Sequence, residues 1–187
     1  MRKLKLQMQV SINGFVAGTA GEMDWMEWNW HDDLNKYVAD LTATVDTIIM
    51  GRKLAEGFIP YWAAIAANVD DPQNADGKLM TNTPKIVFSH SLQKSLWENT
   101  RLATASLSEE IARLKNEAGK DIIVYGGANF VAGLIEQNLI DEYHLFISPV
   151  AIDKGMTIFN SKTNVKLIKT TAFDCGIVVL HYECIRK

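Results

Sequence analysis

Residues Val124-Tyr125-Gly126-Gly127-Ala128-Asn129-Phe130 connect a predicted strand to a predicted helix. The run Asp121–Tyr125 is short and apolar, as in a buried strand, and apolar residues recur at helical spacing from Phe130 to Ile135. Gly126 and Gly127 therefore occupy the turn between the two elements. A ligand can approach a glycine backbone closely, and the free N–H groups at the start of a helix favour an anion. The turn is therefore either a nucleotide-phosphate site or a purely structural Gly-Gly turn.

A second apolar strand runs into a glycine earlier in the chain. The run Thr47–Met50 is followed by Gly51, Arg52 and Lys53. A glycine admits a phosphate, and an arginine can bind that phosphate through two parallel hydrogen bonds. The alternative is an ordinary helix start that carries two solvated cations.

A third predicted strand, Lys85–Phe88, leads into Ser89 and His90. A hydroxyl and an imidazole suit a ribose or its phosphate, although both residues are also common in turns. Ligands bind at the edge where the carboxyl ends of the strands of an open α/β sheet meet, so the three segments together predict a dinucleotide site. The chain has neither G-x-G-x-x-G nor G-x-x-x-x-G-K-[ST], which excludes a Rossmann fingerprint and a P-loop ATPase.

Composition points to one domain over residues 1–187. The chain is 48% hydrophobic with a formal net charge of -3, which suits a compact core and gives no reason to expect nucleic acid or a membrane as a partner. We expect a cytoplasmic protein, because the first residues alternate like an edge strand and not like a signal peptide. Cys175 and Cys184 are expected to be reduced thiols. The four histidines show no ligand spacing, so no metal site is expected.

The order of the predicted elements indicates an α/β fold. Apolar residues alternate with Lys5, Gln7 and Gln9 in the first strand, which predicts a strand with one buried face. Strands and helices then alternate, and the chain finishes with two strands, Val165–Thr171 and Gly176–Cys184, joined as a hairpin. This order predicts a mixed sheet with helices on both faces and an antiparallel C-terminal hairpin.

The stretch from Ile59 to Thr83 is the least regular part of the chain. It contains Pro60 and Pro72, which favour a long loop of the kind that closes over a ligand, with one helical turn near Trp62. Elsewhere, Asp32 or Asp33 and Ser108 are in position to cap helices.

Several segments together resemble the dihydrofolate-reductase-like superfamily. Within it, the chain is most similar to the reductase (C-terminal) domain of riboflavin-biosynthesis proteins and to stand-alone relatives of that domain. The resemblance covers nearly the whole chain and implies the three-layer α/β fold of that superfamily. The matching segments are Ser11–Gly18, Glu22–Trp25, Ile49–Arg52, Lys85–Ser89, Val124–Gly127, Asp141–Pro149 and Ile158–Phe159.

The resemblance implies NADPH as the cofactor. Arg52 and Lys53 would bind the 2′-phosphate or pyrophosphate, and the segment from Gly126 to Asn129 would hold the pyrophosphate. By the same analogy the bond between Gly126 and Gly127 is a candidate cis peptide. The implied cofactor-binding set is Val10, Ala17, Gly51, Arg52, Lys53, Ser89, His90, Gly126, Gly127, Ala128 and Asn129, in which the backbone near Val10 and Ala17 meets the nicotinamide amide.

The substrate side is less clearly marked. Asp24 and Asp32 are the candidate catalytic carboxylates, with helix capping the alternative for Asp32 and loop packing the alternative for Asp24. The position of Asp32 departs from the dihydrofolate reductase pattern, which argues against folate as the natural substrate. Trp25 and Trp62 are the candidates to contact a flat heterocycle, and core packing is their alternative.

The resemblance therefore implies a homodimeric, NADPH-dependent reductase that transfers a hydride to a ribosylamino-pyrimidine, as a 5-amino-6-(5-phosphoribosylamino)uracil reductase does. The zinc motif of the deaminase domain found in that family is missing, so the pathway stays open. The alternatives are a reductase of pterins, dihydrofolate-like compounds or other heterocycles, and a nucleotide-binding protein without turnover.

Overall fold

The structure is a computed structural model that describes residues 1–185. One eight-stranded sheet carries five helices. In chain order the elements are β1 Leu4–Ser11, α1 Asp32–Thr42, β2 Val45–Gly51, α2 Arg52–Ala67, α3 Asn74–Asn82, β3 Lys85–Phe88, β4 Thr100–Leu102, α4 Leu107–Asn116, β5 Asp121–Val124, α5 Ala128–Glu136, β6 Glu142–Ser148, β7 Val165–Ala172 and β8 Val178–Cys184.

The sheet is mixed, as the sequence predicted. Its strand order is β4-β3-β2-β5-β1-β6-β8-β7. The strands from β4 to β6 in this order are parallel, and β8 and β7 complete the sheet as an antiparallel hairpin. Helices α1, α2 and α3 cover one face, whereas α4 and α5 cover the other. Within residues 1–185, no helix is long and apolar enough to cross a membrane.

Strand β1 lies in the middle of the sheet, so the expectation of an edge strand with one exposed face was wrong. All eight of its residues are buried between β5 and β6. The polar side chains on its second face are accommodated because they have buried partners. The ammonium group of Lys5 lies 3.0 Å from the carboxylate of Asp121, and the hydroxyl of Ser148 donates a hydrogen bond to Gln9 Oε1 over 2.9 Å.

The expected loop over residues 59–84 is mostly helical, so the prediction of a long loop was also wrong. Helix α2 continues through Pro60, and α3 follows after residues 68–73. Proline normally ends or kinks a helix, but Ile59 and Ile65 give α2 a buried side on both flanks of Pro60. A Cβ on Gly77 would lie 2.7 Å from the backbone nitrogen of Ala66, so α3 packs tightly against α2.

Two predicted helix caps lie at other residues. Ser106, and not Ser108, caps α4, and its side chain and Glu109 form a reciprocal capping box. His31 is the N-cap of α1, so Asp32 and Asp33 lie in its first turn, where negative charge is favourable. The helix still begins at the position predicted from the sequence, and the predicted apolar residues Leu34 and Leu41 are buried on it.

Candidate functional site

The topology brings the three predicted segments to one edge of the sheet. Strand β2 lies between β3 and β5, with Gly51 opposite Phe88 and Ile49 opposite Val124. The residues that follow these strand ends are therefore neighbours. The segments that begin at Gly51, Ser89 and Gly126 all leave the sheet at its carboxyl edge, where α2 and α5 begin.

The Gly-Gly turn has the geometry expected of an anion cradle. The peptide bond between Gly126 and Gly127 is cis, as the resemblance implied. Gly127 is the N-cap of α5 and makes no side-chain cap, and a Cβ built on it would meet no atom within 4 Å. The space beside Gly127 is thus free of protein atoms at the positive end of α5, an arrangement that suits a phosphate. Ala128 and Asn129 form the first turn, where Asn129 is exposed.

Gly51 allows α5 to approach the end of β2. A Cβ on Gly51 would lie 3.1 Å from Cβ of Phe130, closer than most such contacts. The ring of Phe130 packs against Phe88 with 5.0 Å between centroids. Sequence reasoning missed this aromatic pair, although both residues directly adjoin the predicted segments. The pair packs the end of β3 against the first turn of α5.

The two cations after Gly51 differ in their surroundings. Arg52 Nη1 lies 2.5 Å from Glu56 Oε1 one turn along α2, and about a third of the Arg52 side chain is exposed. Lys53 is exposed. Arginine has five N–H donors, so Arg52 can bind an anion while it keeps the contact with Glu56. This arrangement suits a phosphate near the start of α2.

Ser89 and His90 form the turn after β3. The Ser89 hydroxyl accepts hydrogen bonds from the backbone N–H groups of Ser91 and Leu92, at 3.2 and 3.0 Å. Ser89 therefore has the turn-forming role that the sequence left open as an alternative. His90 is exposed beside it and remains available to a ligand.

Val10 and Ala17 lie at the end of β1 and in the segment that folds back over it. Val10 is buried and pairs with Ile147 of β6. Ala17 forms an isolated bridge in which its carbonyl accepts a hydrogen bond from the N–H of Met156 over 2.8 Å. A carbonyl oxygen has a second lone pair and can accept a further hydrogen bond.

The four candidate substrate residues are spread over the β1–α1 loop, α1 and α2, and they do not form one cluster as the cofactor residues do. Asp24 and Asp32 are exposed, in the β1–α1 loop and in the first turn of α1. Trp25 is half-buried, and its indole N–H is buried without a hydrogen-bond partner among the described residues. Trp62 packs against Phe58, with 6.1 Å between ring centroids, which is the packing role the sequence left open for it. Within residues 1–185 no ring contact joins Trp25 to Trp62.

Tyr125 stands immediately before the Gly-Gly turn and was not singled out from the sequence. Its ring stacks on Phe58 with 5.6 Å between centroids. Burial raises the pKa of Tyr125 to about 12, so its phenol is uncharged at neutral pH. The residue thus links the cradle to the aromatic side chains of α2.

A groove of about 510 Å³ lies at the opposite edge of the sheet. Its walls come from the amino ends of β2, β3 and β4 and from α4, and they include Lys85, Arg101 and Glu117. None of the residues predicted for the cofactor lines it. The groove is therefore separate from the candidate site.

Comparisons with known proteins agree with this fold. A family model described as the RibD C-terminal domain matches residues 2–179. The uncharacterized protein YyaP of Bacillus subtilis is 31% identical over 187 residues, which cover 97% of this chain and 95% of the relative.

Two solved structures share the fold at low identity. A protein of Shewanella sp. PV-4, provisionally named for riboflavin biosynthesis, has a TM-score of 0.71 at 21% identity, with full coverage of both chains. The diaminohydroxyphosphoribosylaminopyrimidine deaminase/5-amino-6-(5-phosphoribosylamino)uracil reductase of Thermotoga maritima has a TM-score of 0.68 at 15% identity. That match covers 98% of this chain and 57% of the Thermotoga chain.

Proposed function

Because the chain belongs to the RibD C-terminal domain family, we propose that it is an NADPH-dependent reductase of a ribosylamino-pyrimidine or a closely related nitrogen heterocycle. The observation that carries this proposal is the meeting of three strand ends at one edge of the sheet. At that edge the uncapped start of α5 and the cations at the start of α2 are suited to phosphate groups.

The proposed cofactor contacts follow the order of the strands. The backbone of Gly126, Gly127 and Ala128, with the side chain of Asn129, holds the pyrophosphate at the positive end of α5. The space beside Gly127 supports this assignment because a Cβ at this position would meet no protein atom within 4 Å.

The cations select the phosphorylated cofactor. Arg52 and Lys53 bind the 2′-phosphate, which NADH lacks, and the turn with Ser89 and His90 borders the adenosine end. Gly51 lets Phe130 of α5 pack closely against the end of β2. The backbone near Val10 and Ala17 receives the nicotinamide amide.

NADPH, when bound, supplies the hydride that reduces the substrate. The protein contributes position and electrostatics, as is usual in cofactor-dependent reductases. The acceptor is a C=N bond or the open-chain carbon of a ribosyl group, and its nitrogen or oxygen gains a proton. Asp24 and Asp32 are exposed, so either can exchange that proton with water or bind polar groups of the substrate.

The substrate class is proposed by analogy with the Thermotoga maritima protein, which is named as a 5-amino-6-(5-phosphoribosylamino)uracil reductase. Trp25 supports a planar ring at this end of the molecule because its half-buried indole carries an N–H without a partner among the described residues. A pterin or dihydrofolate-like ring presents the same flat surface and is the second candidate.

A homodimer is part of the proposal. Strand β7 forms one edge of the sheet, and Leu167 and Ile168 on it are exposed. An edge strand with exposed apolar side chains is a favourable surface for a second copy of the chain. Light scattering should give the mass of a dimer, and Leu167→Lys should shift the protein toward the monomer.

The first experiment is a titration of the purified protein with NADPH, NADH and FMN. Tryptophan fluorescence and thermal melting report the binding. We expect NADPH to bind more tightly than NADH and to raise the melting temperature most. The nucleotide-site assignment is wrong if NADPH changes neither signal.

The second experiment measures turnover. Loss of NADPH absorbance is followed with 5-amino-6-(5-phosphoribosylamino)uracil and, separately, with dihydropterins. Oxidation that depends on the pyrimidine supports the reductase, and oxidation that depends only on the pterin favours the second candidate. Tight NADPH binding without oxidation in either assay identifies a nucleotide-binding protein without turnover.

A further inference from the structure

Two histidines that are far apart in the sequence face each other across a pair of strands. His144 of β6 lies directly opposite His181 of β8, and their rings stack with 4.3 Å between centroids. Glu142 lies two residues before His144 and so projects from the same face of β6. Its Oε2 atom is 3.6 Å from His144 Nε2 and 3.8 Å from His181 Nε2.

The ring nitrogens that point at Glu142 lie beyond hydrogen-bond distance of its Oε2 atom. The Nε2 atoms of His144 and His181 are both buried, and neither has a hydrogen-bond partner within residues 1–185. His144 as a whole is only 4% exposed. A buried polar atom without a hydrogen-bond partner is unfavourable, so two such atoms aimed at one carboxylate call for a shared ligand.

We propose that Glu142, His144 and His181 form a binding site for a divalent transition-metal ion, with Zn²⁺ the best match. Two imidazole nitrogens and one carboxylate oxygen are a familiar zinc ligand set. In a tetrahedral site with bonds of about 2.0–2.1 Å, ligand atoms lie about 3.3 Å apart. The three atoms here lie within 4.8 Å of one another, so small side-chain movements would bring them onto the ion.

A fourth ligand is available on the same face of the sheet. Gln7 of β1 pairs with His144, and its side-chain oxygen Oε1 is buried without a partner among the described residues. That oxygen can bind the ion directly or through a water molecule. Either arrangement would give the buried Oε1 atom of Gln7 a partner.

Tyr37 orients the more buried histidine. Its hydroxyl oxygen lies 2.7 Å from Nδ1 of His144. When Nδ1 carries the proton and donates it to the tyrosine oxygen, Nε2 presents its lone pair to the ion, as is usual for metal-bound histidines.

Two lysines set the charge around the site. Lys3 Nζ lies 2.5 Å from Glu142 Oε1, so this lysine occupies one carboxylate oxygen and leaves Oε2 for the ion. Lys5 Nζ lies 3.7 Å from Oε2, but its closer partner is Asp121 at 3.0 Å. Both cations lower the affinity for a dication, and Asp121 offsets part of that effect.

The location assigns the ion a structural role. Glu142 begins β6, so the cluster lies at the amino edge of the parallel strands, away from the carboxyl edge where the nucleotide is proposed to bind. An ion there would connect β6 to β8 and, through Tyr37, to α1. Hydride transfer at the other edge does not need it.

The test uses the full chain without a polyhistidine tag, stripped of metal with a chelator. Titration with Co²⁺ should give one equivalent of binding with the intense visible absorption of a tetrahedral site, and Zn²⁺ should displace the Co²⁺. Zn²⁺ should also raise the melting temperature. His181→Asn should weaken binding at least tenfold, and it is the first choice because this residue is less buried than His144.

Matched controls separate this site from other ligands on the chain. His90→Asn removes an exposed histidine, and Cys184→Ser removes a thiol from the other face of β8, so both variants should bind Co²⁺ as the unaltered protein does. Glu142→Gln should weaken binding in a protein that still melts cooperatively. The proposal is overturned if no stoichiometric Co²⁺ binding occurs or if His181→Asn binds with unchanged affinity.

Discussion

Arg52 Nη1 lies 2.5 Å from Glu56 Oε1, one turn along the helix that begins at the end of β2. Both side chains are partly exposed, and exposed pairs at this spacing are worth only about 0.3–0.5 kcal/mol. Such a weak contact keeps the guanidinium near the start of α2 and leaves it able to bind another anion. A phosphate that arrives at the sheet edge can therefore share or replace Glu56 at little cost.

Replacing Arg52 tests whether it recognises the 2′-phosphate. Arg52→Ala removes a charge-assisted contact worth about 1.5–3 kcal/mol, so we expect NADPH to bind about 10- to 150-fold more weakly and NADH nearly as before. Fluorescence titration with both cofactors measures the two dissociation constants. Lys36→Ala is the control, because Lys36 forms a similar exposed pair with Asp40 on α1. Equal losses for both cofactors would contradict this role.

A methyl group on Gly127 tests the cradle. Its Cβ would project where no protein atom lies within 4 Å, so in Gly127→Ala the added methyl group should meet the ligand. We expect at least a tenfold loss of NADPH affinity, measured by titration well below the melting temperature. Gly57 also has open space around its Cβ position but lies on an exposed turn of α2. Gly57→Ala should keep the affinity and stabilise the helix by about 0.5–1 kcal/mol; if both variants bind NADPH normally, the cradle assignment fails.

The start of α4 distinguishes two serines. Ser106 caps the helix and Ser108 lies in its first turn. Loss of a serine cap typically costs about 1 kcal/mol, so Ser106→Ala should lower the free energy of unfolding by that amount, whereas Ser108→Ala should change it by less than about 0.5 kcal/mol. Urea denaturation of the two variants measures both values. A larger loss of stability in Ser108→Ala than in Ser106→Ala would show that Ser108 is the cap, as the sequence predicted.

Stability should depend on the protonation of Lys85. Burial lowers the pKa of this ammonium group from 10.5 to about 8. Between these values the unfolded chain binds the proton and the folded chain does not, so the contribution of Lys85 to stability rises with pH across that window. Lys85→Met should flatten this rise in urea denaturation measured at several pH values.

The exposed Lys36 provides the control for this pH dependence. Lys36→Met should retain the full rise, because this variant still contains the buried Lys85. An unchanged pH dependence in Lys85→Met would show that Lys85 titrates normally in the folded protein.

Local patterns predicted the core strands and the Gly-Gly turn between β5 and α5 well. The apolar runs before Gly51 and Gly126 are core strands because β2 and β5 are buried on both faces. Apolar runs of this kind indicate parallel strands, and the following glycines mark the strand ends. The cis bond between Gly126 and Gly127 came from the family resemblance and not from the residues alone.

The failures share a cause, which is that tertiary contacts override local signals. Lys5 and Gln9 indicate an exposed face, yet partners distant in the sequence allow β1 to be central. Pro60 indicates a break, yet packing of apolar residues on both sides of it maintains α2. Spacing along the chain could not reveal that His144 and His181 are neighbours, because only the return of β8 beside β6 brings them together.

The central position of β1 has a consequence for synthesis on the ribosome. Its hydrogen-bonding neighbours are β5 and β6, and about 110 residues separate the end of β1 at Ser11 from the start of β5 at Asp121. At about 5–20 residues per second, this strand waits on the order of 5–20 s for its first partner to be translated. During that interval an eight-residue segment with one apolar side has no neighbouring strand, so the middle of the sheet can close only late in translation.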